Sequence, residues 1–537
     1  MNKAALHIID YIIIAGSLII PILVSLRFSR NQNNLKKFFT ASGTIPSWAI
    51  GISILATLIS SVTFLAYPGE GYSRNWILLV QGLMVPVTLV LIIGFVVPLY
   101  RNVIKLSAYE YFEQRFGFFA RLYSSLGFFL AHFSKMGTVF FLLALAFSQI
   151  TGFKTTEMIW IVGLIVIFIT LLGGIEAVIW LDVFQGFLLV AGGVIALIII
   201  IVSTQGGLAS IWEVAKENQR LGFGPYELNF VKLTFFVMVL NGIFYALQKY
   251  GTDQTIVQRY LTAKSDKDAI KASLMGVFLS VPVWALFMFI GTALFAYYTI
   301  HTGDLPPDTR PDAVFSVFIM TKLPAGITGL ILAALLAAAI SSLDSDLNCL
   351  SAICVEDYYI RFKPDSTEKQ RMSLGRTVIV LAGLASIVIA LYYTRIGGEG
   401  VLGIIFTLYS VFSGGIAGMF LLGIFTRRAN KQGLNIGIAA CVLFTAYAVL
   451  TSTKFDVGGT KKLLLDFGNF NFSHHKMMLG VYSHVVLFVV GYIASLFFKS
   501  TKDISMLTFT GWMEKRREES QSKTQIIDCN KSFSMKK

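Results

Sequence analysis

The sequence predicts an all-α protein that crosses a membrane about thirteen times, and three observations lead there. Of 537 residues, 55% are hydrophobic and only 14% charged, with a mean hydropathy of +0.71, far from the balance of a soluble domain. Apolar runs of the roughly 20 residues that a helix needs to cross about 30 Å of hydrocarbon recur along the chain. Lysines and arginines gather in alternate short loops, the pattern that membrane insertion imposes. That loop bias accounts for the net charge of +14, which therefore does not point to nucleic acid. Four cysteines without paired spacing form neither a disulfide framework nor a metal motif.

In order, the thirteen runs lie near residues 7–28, 46–72, 75–100, 117–149, 156–174, 178–202, 232–252, 274–300, 326–355, 376–396, 400–426, 433–453 and 477–498. The first ends at Arg27, is too long for a secretory leader and lacks a small-residue cleavage site, so it reads as a retained span. With sides alternating, one set of short loops holds Arg27, Arg30, Lys36, Lys37, Arg101, Lys105, Arg115, Arg121, Arg259, Lys264, Lys267, Lys271, Arg361, Lys363, Lys369, Arg371, Arg376, Arg427, Arg428 and Lys431. The positive-inside rule makes that set cytoplasmic, with the N-terminus outside and the C-terminal tail inside. The tail, 499–537, reads as a polar solvated appendage.

The second run, PSWAIGISILATLISSVTFLAYPGEGY, mixes Gly51, Ser53, Ala56, Thr57, Ser60, Ser61 and Thr63 into apolar sequence and then meets Pro68 and Gly69. Those residues weaken a continuous helix. A break between Ala56 and Thr63 would free backbone carbonyls at membrane depth, which is tolerated where they line a cavity or coordinate an ion. Helix packing through small residues is the competing reading.

The fourth run buries Lys135 more than ten residues from either end. An ammonium at that depth needs an anion, either a solute carboxylate or an aspartate. His132, one turn earlier, reads as a hydrogen-bonded core histidine. Asp182, about a turn inside the sixth run, reads either as an interfacial acid or, with Asp344 and Ser345, as part of an oxygen cage. The seventh run carries Asn241, Gly242, Gln248 and Gly251 and is the counterpart of the weakened second run. Lys249 within it reads equally as an interfacial lysine or a functional one. Four runs separate the two, so five-helix units starting at the second and seventh runs have opposite orientations, as in inverted-repeat transporters.

The ninth run contains AAAISSLDSD, Ala337 to Asp346. At about 100° per residue, Ala338, Ser341, Ser342 and Ser345 share an arc of roughly 100°, flanked by Asp344 and Asp346. One face of an otherwise apolar helix is lined with oxygen, half of a cation site whose other half is the weakened second run. A carboxylate at membrane depth costs about 2.5–3.5 kcal/mol and needs a partner or a cation.

The stretches ILATLISSVTFLAYPGEGY, SAYEYFEQRF, GGIEAVIWLDVFQG, GTDQTIVQRYL and LAALLAAAISSLDSDLN, in this order between about Phe38 and Arg428, resemble the sodium/solute symporter family. Its members include sodium/sialic acid, sodium/sugar and sodium/monocarboxylate symporters. The resemblance implies a LeuT-type fold: an extra N-terminal helix and loop over 1–45, a first five-helix repeat over 46–202, and a second over 203–426 with outer loops. Two peripheral C-terminal helices over 427–498 and the tail, 499–537, follow. It implies a main sodium site of the Ala56, Ile59 and Ala338 carbonyls with the Ser341 and Ser342 hydroxyls, and a second candidate site of Asp182, Asp344 and Ser345. The solute cavity it implies is lined by Ser60, Thr63, Leu78, Gln81, Gly82 and Lys135. Lys135 resembles an arginine of the sialic acid members, Asp344 a serine, and Leu58 and Leu78 a threonine and a phenylalanine. A lysine does not grip carboxylate in the bidentate way an arginine does. Polar residues of the sugar members correspond to Ala246 and Phe406.

The function implied is import of a small organic solute coupled to one or two sodium ions in a plasma membrane, by alternating access. The solute would be a carboxylate such as sialic acid; a sugar or polyol is the alternative, and proton coupling through Asp182 and Asp344 a variant. A monomer can suffice. A channel would share the buried oxygens, but no repeated filter segment occurs. No GxxxxGK[ST], HExxH or GxSxG occurs, which disfavours an enzyme or an ATP-driven pump.

Overall fold

The computed structural model describes residues 6–29, 35–104, 107–172, 174–395, 411, 414–457, 460–499, 505–515 and 517–518. Its helices are α1 Ile8–Ser29, α2 Leu35–Thr40, α3 Ser47–Leu58, α4 Tyr67–Ser73, α5 Leu79–Pro98, α6 Ala108–Phe116, α7 Phe118–Thr151, α8 Thr155–Leu172, α9 Ile175–Ser203 and α10 Gly207–Glu217. They continue as α11 Phe235–Gly251, α12 Gln254–Thr262, α13 Asp266–Ile300, α14 Pro311–Lys322, α15 Ile327–Ala352, α16 Ile360–Phe362, α17 Glu368–Tyr393, α18 Ile416–Phe425, α19 Lys431–Ser452 and α20 Lys476–Ser495. A hairpin joins the last two, β1 Lys454–Val457 pairing antiparallel with β2 Thr460–Leu463 in the register Lys454↔Leu463. That hairpin lies in a loop to which the sequence assigned no structure.

Among the described residues, nine helices are long and apolar enough to cross a membrane, or ten if the bent pair Ser47–Leu58 and Val62–Ser73 counts as one span. The remaining expected spans are shorter: Thr155–Leu171 and Ile416–Phe425 are apolar helices of lesser length, and α11 has 17 residues. Much of the eleventh run, Phe406 included, and most of the tail lie outside the described residues.

The second run is broken, as its composition predicts. Helix α3 stops at Ile59, which is extended (φ −102°, ψ 118°); a wide π turn over Val62–Ala66 then leads into α4, and the axes differ by 58°. Pro68, which has no N–H to give, sits in the first turn of α4, where none is needed. The seventh run breaks too: α11 ends at Gly251, and Asp253 caps α12 by accepting from the Thr255 amide at 2.9 Å.

Helix α15 is apolar along most of its length, and its serines and aspartates are buried with the rest of it, so it belongs at the centre of the bundle. It packs against α1, α3, α7, α9 and α17, and 89% of its most apolar window is buried. Asp10 of α1 accepts from the amides of Gly326 and Gly329 at 2.7 Å each, meeting amides that a helix start leaves open. The backbones of α3 and α13 meet at Gly276, where a Cβ would stand 2.7 Å from the Gly51 carbonyl oxygen. Such close approach is how small residues hold membrane helices together.

Candidate solute and cation site

Two polar layers meet where α3 breaks. In the first, the oxygen face of α15 reaches the broken end: the Ser342 hydroxyl donates to the Ile59 carbonyl at 3.4 Å across 283 residues of sequence. A helix end leaves its last carbonyls without intrahelical partners, and Ala56 and Ile59 lie at this end. Ala56, Ile59, Ala338, Ser341 and Ser342 are all buried. Hard oxygens from two chain segments, carbonyl and hydroxyl, are the donor set a small hard cation takes.

Asp182, on α9, stands beside this face, but its partner is one the sequence reading had put in a cytoplasmic loop. Arg259 of α12 is fully buried and pairs with Asp182 at 2.8 Å. Its Nε donates to Ser53 at 2.8 Å, Nη1 to the Thr255 carbonyl at 2.7 Å and Nη2 also to Ser345 at 2.9 Å. Asp182 accepts in addition from Ser53 at 2.5 Å and from Ser341. Asp344 is not drawn into this group: Thr170 of α8 donates to its carboxylate. Of the expected cage of Asp182, Asp344 and Ser345, the first and last are bridged by Nη2 of Arg259, while Asp344 accepts from Thr170.

The second layer is a cavity of about 170 Å³. Ser60, Thr63, Gln81, Gly82 and Lys135 line it. Leu78 does not; it packs in an apolar cluster with Ala66, Ile77, Val80, Val237 and Met238. Gly82 lets the Trp284 indole close over the cavity, since a Cβ there would lie 2.6 Å from Cε3.

The Lys135 ammonium finds its anion in Asp346, 3.0 Å away. His132 joins that aspartate at 2.9 Å to Asp253 at 3.2 Å, and Asp253 pairs with Lys249 at 2.7 Å. Lys249 also donates to Thr255 at 3.0 Å. The interfacial reading of Lys249 is thus replaced: it is buried and lines the cavity with Lys135. The side chain of Lys135 keeps 23% of its exposure and lines the cavity.

Thr57 connects the layers, lining the cavity while its hydroxyl lies 3.4 Å from that of Ser345. Asn241, Phe244, Tyr245, Gln248 and Trp284 complete much of the wall. Gly480, Val481 and His484 of α20 add to it. The polar residues of the seventh run signalled α11 in advance; nothing in the sequence of α20 did so.

A model described as the sodium:solute symporter family matches residues 38–440. The sodium/sialic acid symporter NanT of Aliivibrio fischeri is 30% identical over 503 residues, covering 93% of this chain and 95% of that protein. The sodium/sialic acid symporter SiaT of Proteus mirabilis is 32% identical over 468 residues, covering 84% and 94%. A solved structure described as the substrate-bound outward-open state of a Na+-coupled sialic acid symporter superposes with a TM-score of 0.82 at 30% identity, over 92% of this chain and 99% of that one. A nucleobase-cation-symport-1 family transporter in a closed conformation shares the fold at a TM-score of 0.57 and 15% identity, over 86% and 94%.

Proposed function

The chain belongs to the sodium:solute symporter family, and from that premise we propose that it imports a small carboxylate-bearing solute, sialic acid or a related acid, by coupling to inward sodium flow. It is an integral membrane transporter and not an enzyme. The observation that carries the reading is the meeting of Ser342 with Ile59 at the break of α3, beside a cavity floored by the paired ammoniums of Lys135 and Lys249.

In this reading sodium takes the Ala56, Ile59 and Ala338 carbonyls with the Ser341 and Ser342 hydroxyls. The solute lies against Ser60, Thr63, Gln81, Gly82 and Lys135, its carboxylate taking the donors of Lys135 that Asp346 leaves free. Because Ile59 and Ser60 are adjacent, a cation that orders the break also orders the solute site. Solute affinity then rises with sodium, and sodium affinity rises equally with solute. Asp182 and Ser345 belong to the sodium pathway through Arg259, and Asp344 to a second sodium ligand set only when its bond to Thr170 opens.

The architecture that supports alternating access is an inverted pair of five-helix repeats over 46–202 and 203–426 within about thirteen spans. The breaks at Ile59 and at Thr252–Asp253 are their equivalent points. Segment 1–45 is the added N-terminal helix and loop, 427–498 follows the repeats and 499–537 is a tail. The loop charges support a plasma membrane orientation with the N-terminus outside and the C-terminus in the cytoplasm.

One charge crossing 100 mV is worth about 2.3 kcal/mol and a tenfold sodium gradient about 1.4. With a monoanionic solute, one sodium carries no net charge across and sustains a gradient of about tenfold, while two carry one net charge and sustain a gradient on the order of several thousandfold. Thermal unfolding of the purified chain with sialic acid, short carboxylates, sugars and polyols, in sodium or choline, tests the proposal. Sialic acid should stabilise only in sodium, Ser342→Ala should remove the sodium effect, and Lys135→Ala should remove acid binding. Equal stabilisation in choline would overturn sodium coupling.

A further inference from the structure

Lys135, Lys249 and His132 line the cavity and are tied to Asp346 and Asp253. Asn241 and Phe244 precede Lys249 on α11 and lie about 12 and 8 Å from it along the helix axis, and His484 lines the cavity beside Phe244. His484 is 4% exposed, and its Nδ1 is buried with no hydrogen-bond partner among the described residues. Its ring stacks on Phe244 with centroids 5.3 Å apart and planes 24° from parallel. Stacking fixes the plane of a ring that lines the cavity and carries the unpartnered Nδ1.

A buried polar atom without a partner costs about 1–3 kcal/mol. The fold could have avoided that cost with a leucine or phenylalanine at this position, as elsewhere on the apolar α20. His484 also lies beyond the family-matched segment, 38–440, on a helix that the shared sodium machinery does not require.

We infer that His484 hydrogen-bonds a neutral hydroxyl or amide group of the solute, away from the ammoniums that take its carboxylate. The solute class is thereby narrowed to acids that carry a second, uncharged polar group several ångströms from the carboxylate, as a polyhydroxylated sugar acid does and a short fatty acid does not. This rests on the carboxylate reading of the same cavity.

The test measures binding of sialic acid and of propionate to the full-length purified chain in sodium, for wild type, His484→Leu and His484→Gln. His484→Leu should weaken sialic acid roughly tenfold, the loss of about one well-placed hydrogen bond, while the propionate affinity and the sodium-only thermal shift stay as in wild type. His484→Gln, which keeps a donor and an acceptor, should stay within about threefold of wild type. An unchanged sialic acid affinity in His484→Leu would overturn the inference, and so would a parallel loss of propionate binding and sodium shift, which marks a packing role. Wild type that binds neither acid in sodium would overturn the carboxylate reading and this inference with it.

Discussion

Replacing Asp182 by leucine should be among the most destabilising single changes in the chain, for a reason separate from sodium. Both members of the Asp182–Arg259 pair are buried, at 2.8 Å. At an effective dielectric near 20, that separation corresponds to an attraction of about 6 kcal/mol, set against the cost of taking both ions out of water. Removing the carboxylate leaves the guanidinium without its counter-charge and frees the hydroxyls of Ser53 and Ser341 from their acceptor. Breaking one side of a buried pair costs about 3–5 kcal/mol. In a chain of this size, that lowers the thermal midpoint by about 3–4 °C. The measurement belongs in choline, where a lost sodium ligand contributes nothing. Adding Arg259→Met to Asp182→Leu should restore most of the loss, because two apolar side chains carry no uncompensated charge. Sodium should then still raise the midpoint of the double variant through the Ser342 site, by the linkage of a ligand that binds the folded state. A single variant as stable as wild type in choline, or a double variant no better than the single, would refute the ion-pair account. Loss of the sodium effect in the double variant would instead make Asp182 an obligatory sodium ligand.

Two further outcomes follow from geometry alone. Gly82→Ala places a Cβ 2.6 Å from Cε3 of Trp284, so the indole must shift. Overpacking of this kind costs about 1–3 kcal/mol, and solute affinity should fall while the sodium-only thermal shift is kept; unchanged affinity would show that Trp284 moves freely. At the start of α20, burial, with the Lys476 ammonium and Arg74, pushes His475 down to about 4 from its ordinary 6.5. The unfolded chain therefore takes up this proton first, so the contribution of His475 is complete above about pH 6.5 and is lost as pH falls toward 4. His475→Asn should flatten the fall of the thermal midpoint between pH 6.5 and 4.5, and an identical slope in both proteins would count against it.

The break in the second run was legible because glycine, serine, threonine and proline in that stretch lower the helix propensity that a straight span needs. Lys135 was legible as a group in need of an anion, since depth alone makes a lone ammonium untenable. What composition could not assign was the pairing. Arg259 sits ten residues past Lys249, in a stretch of mixed polarity that reads as a loop end, and only the second break, at Thr252–Asp253, turns α12 inward to bury it. Once a guanidinium reaches Asp182, that carboxylate bonds Arg259, Ser53 and Ser341.

The divergence of Asp344 from Asp346 has a simpler cause, available from helix geometry. Two residues apart on an α-helix means about 200° apart around its axis, so these carboxylates cannot serve one site. Asp346 points to α7, where Lys135 and His132 meet it, and Asp344 to α8 and Thr170. Ser341 and Ser345, four apart, share a face and both belong to the Asp182–Arg259 group. The sequence lists which polar groups lie at depth, and charge neutrality says each must be paired. Helix phase then divides one oxygen-rich helix among its neighbours: the broken α3 meets Ser342, α7 meets Asp346, α8 meets Asp344, and α9 with α12 meets Ser341 and Ser345.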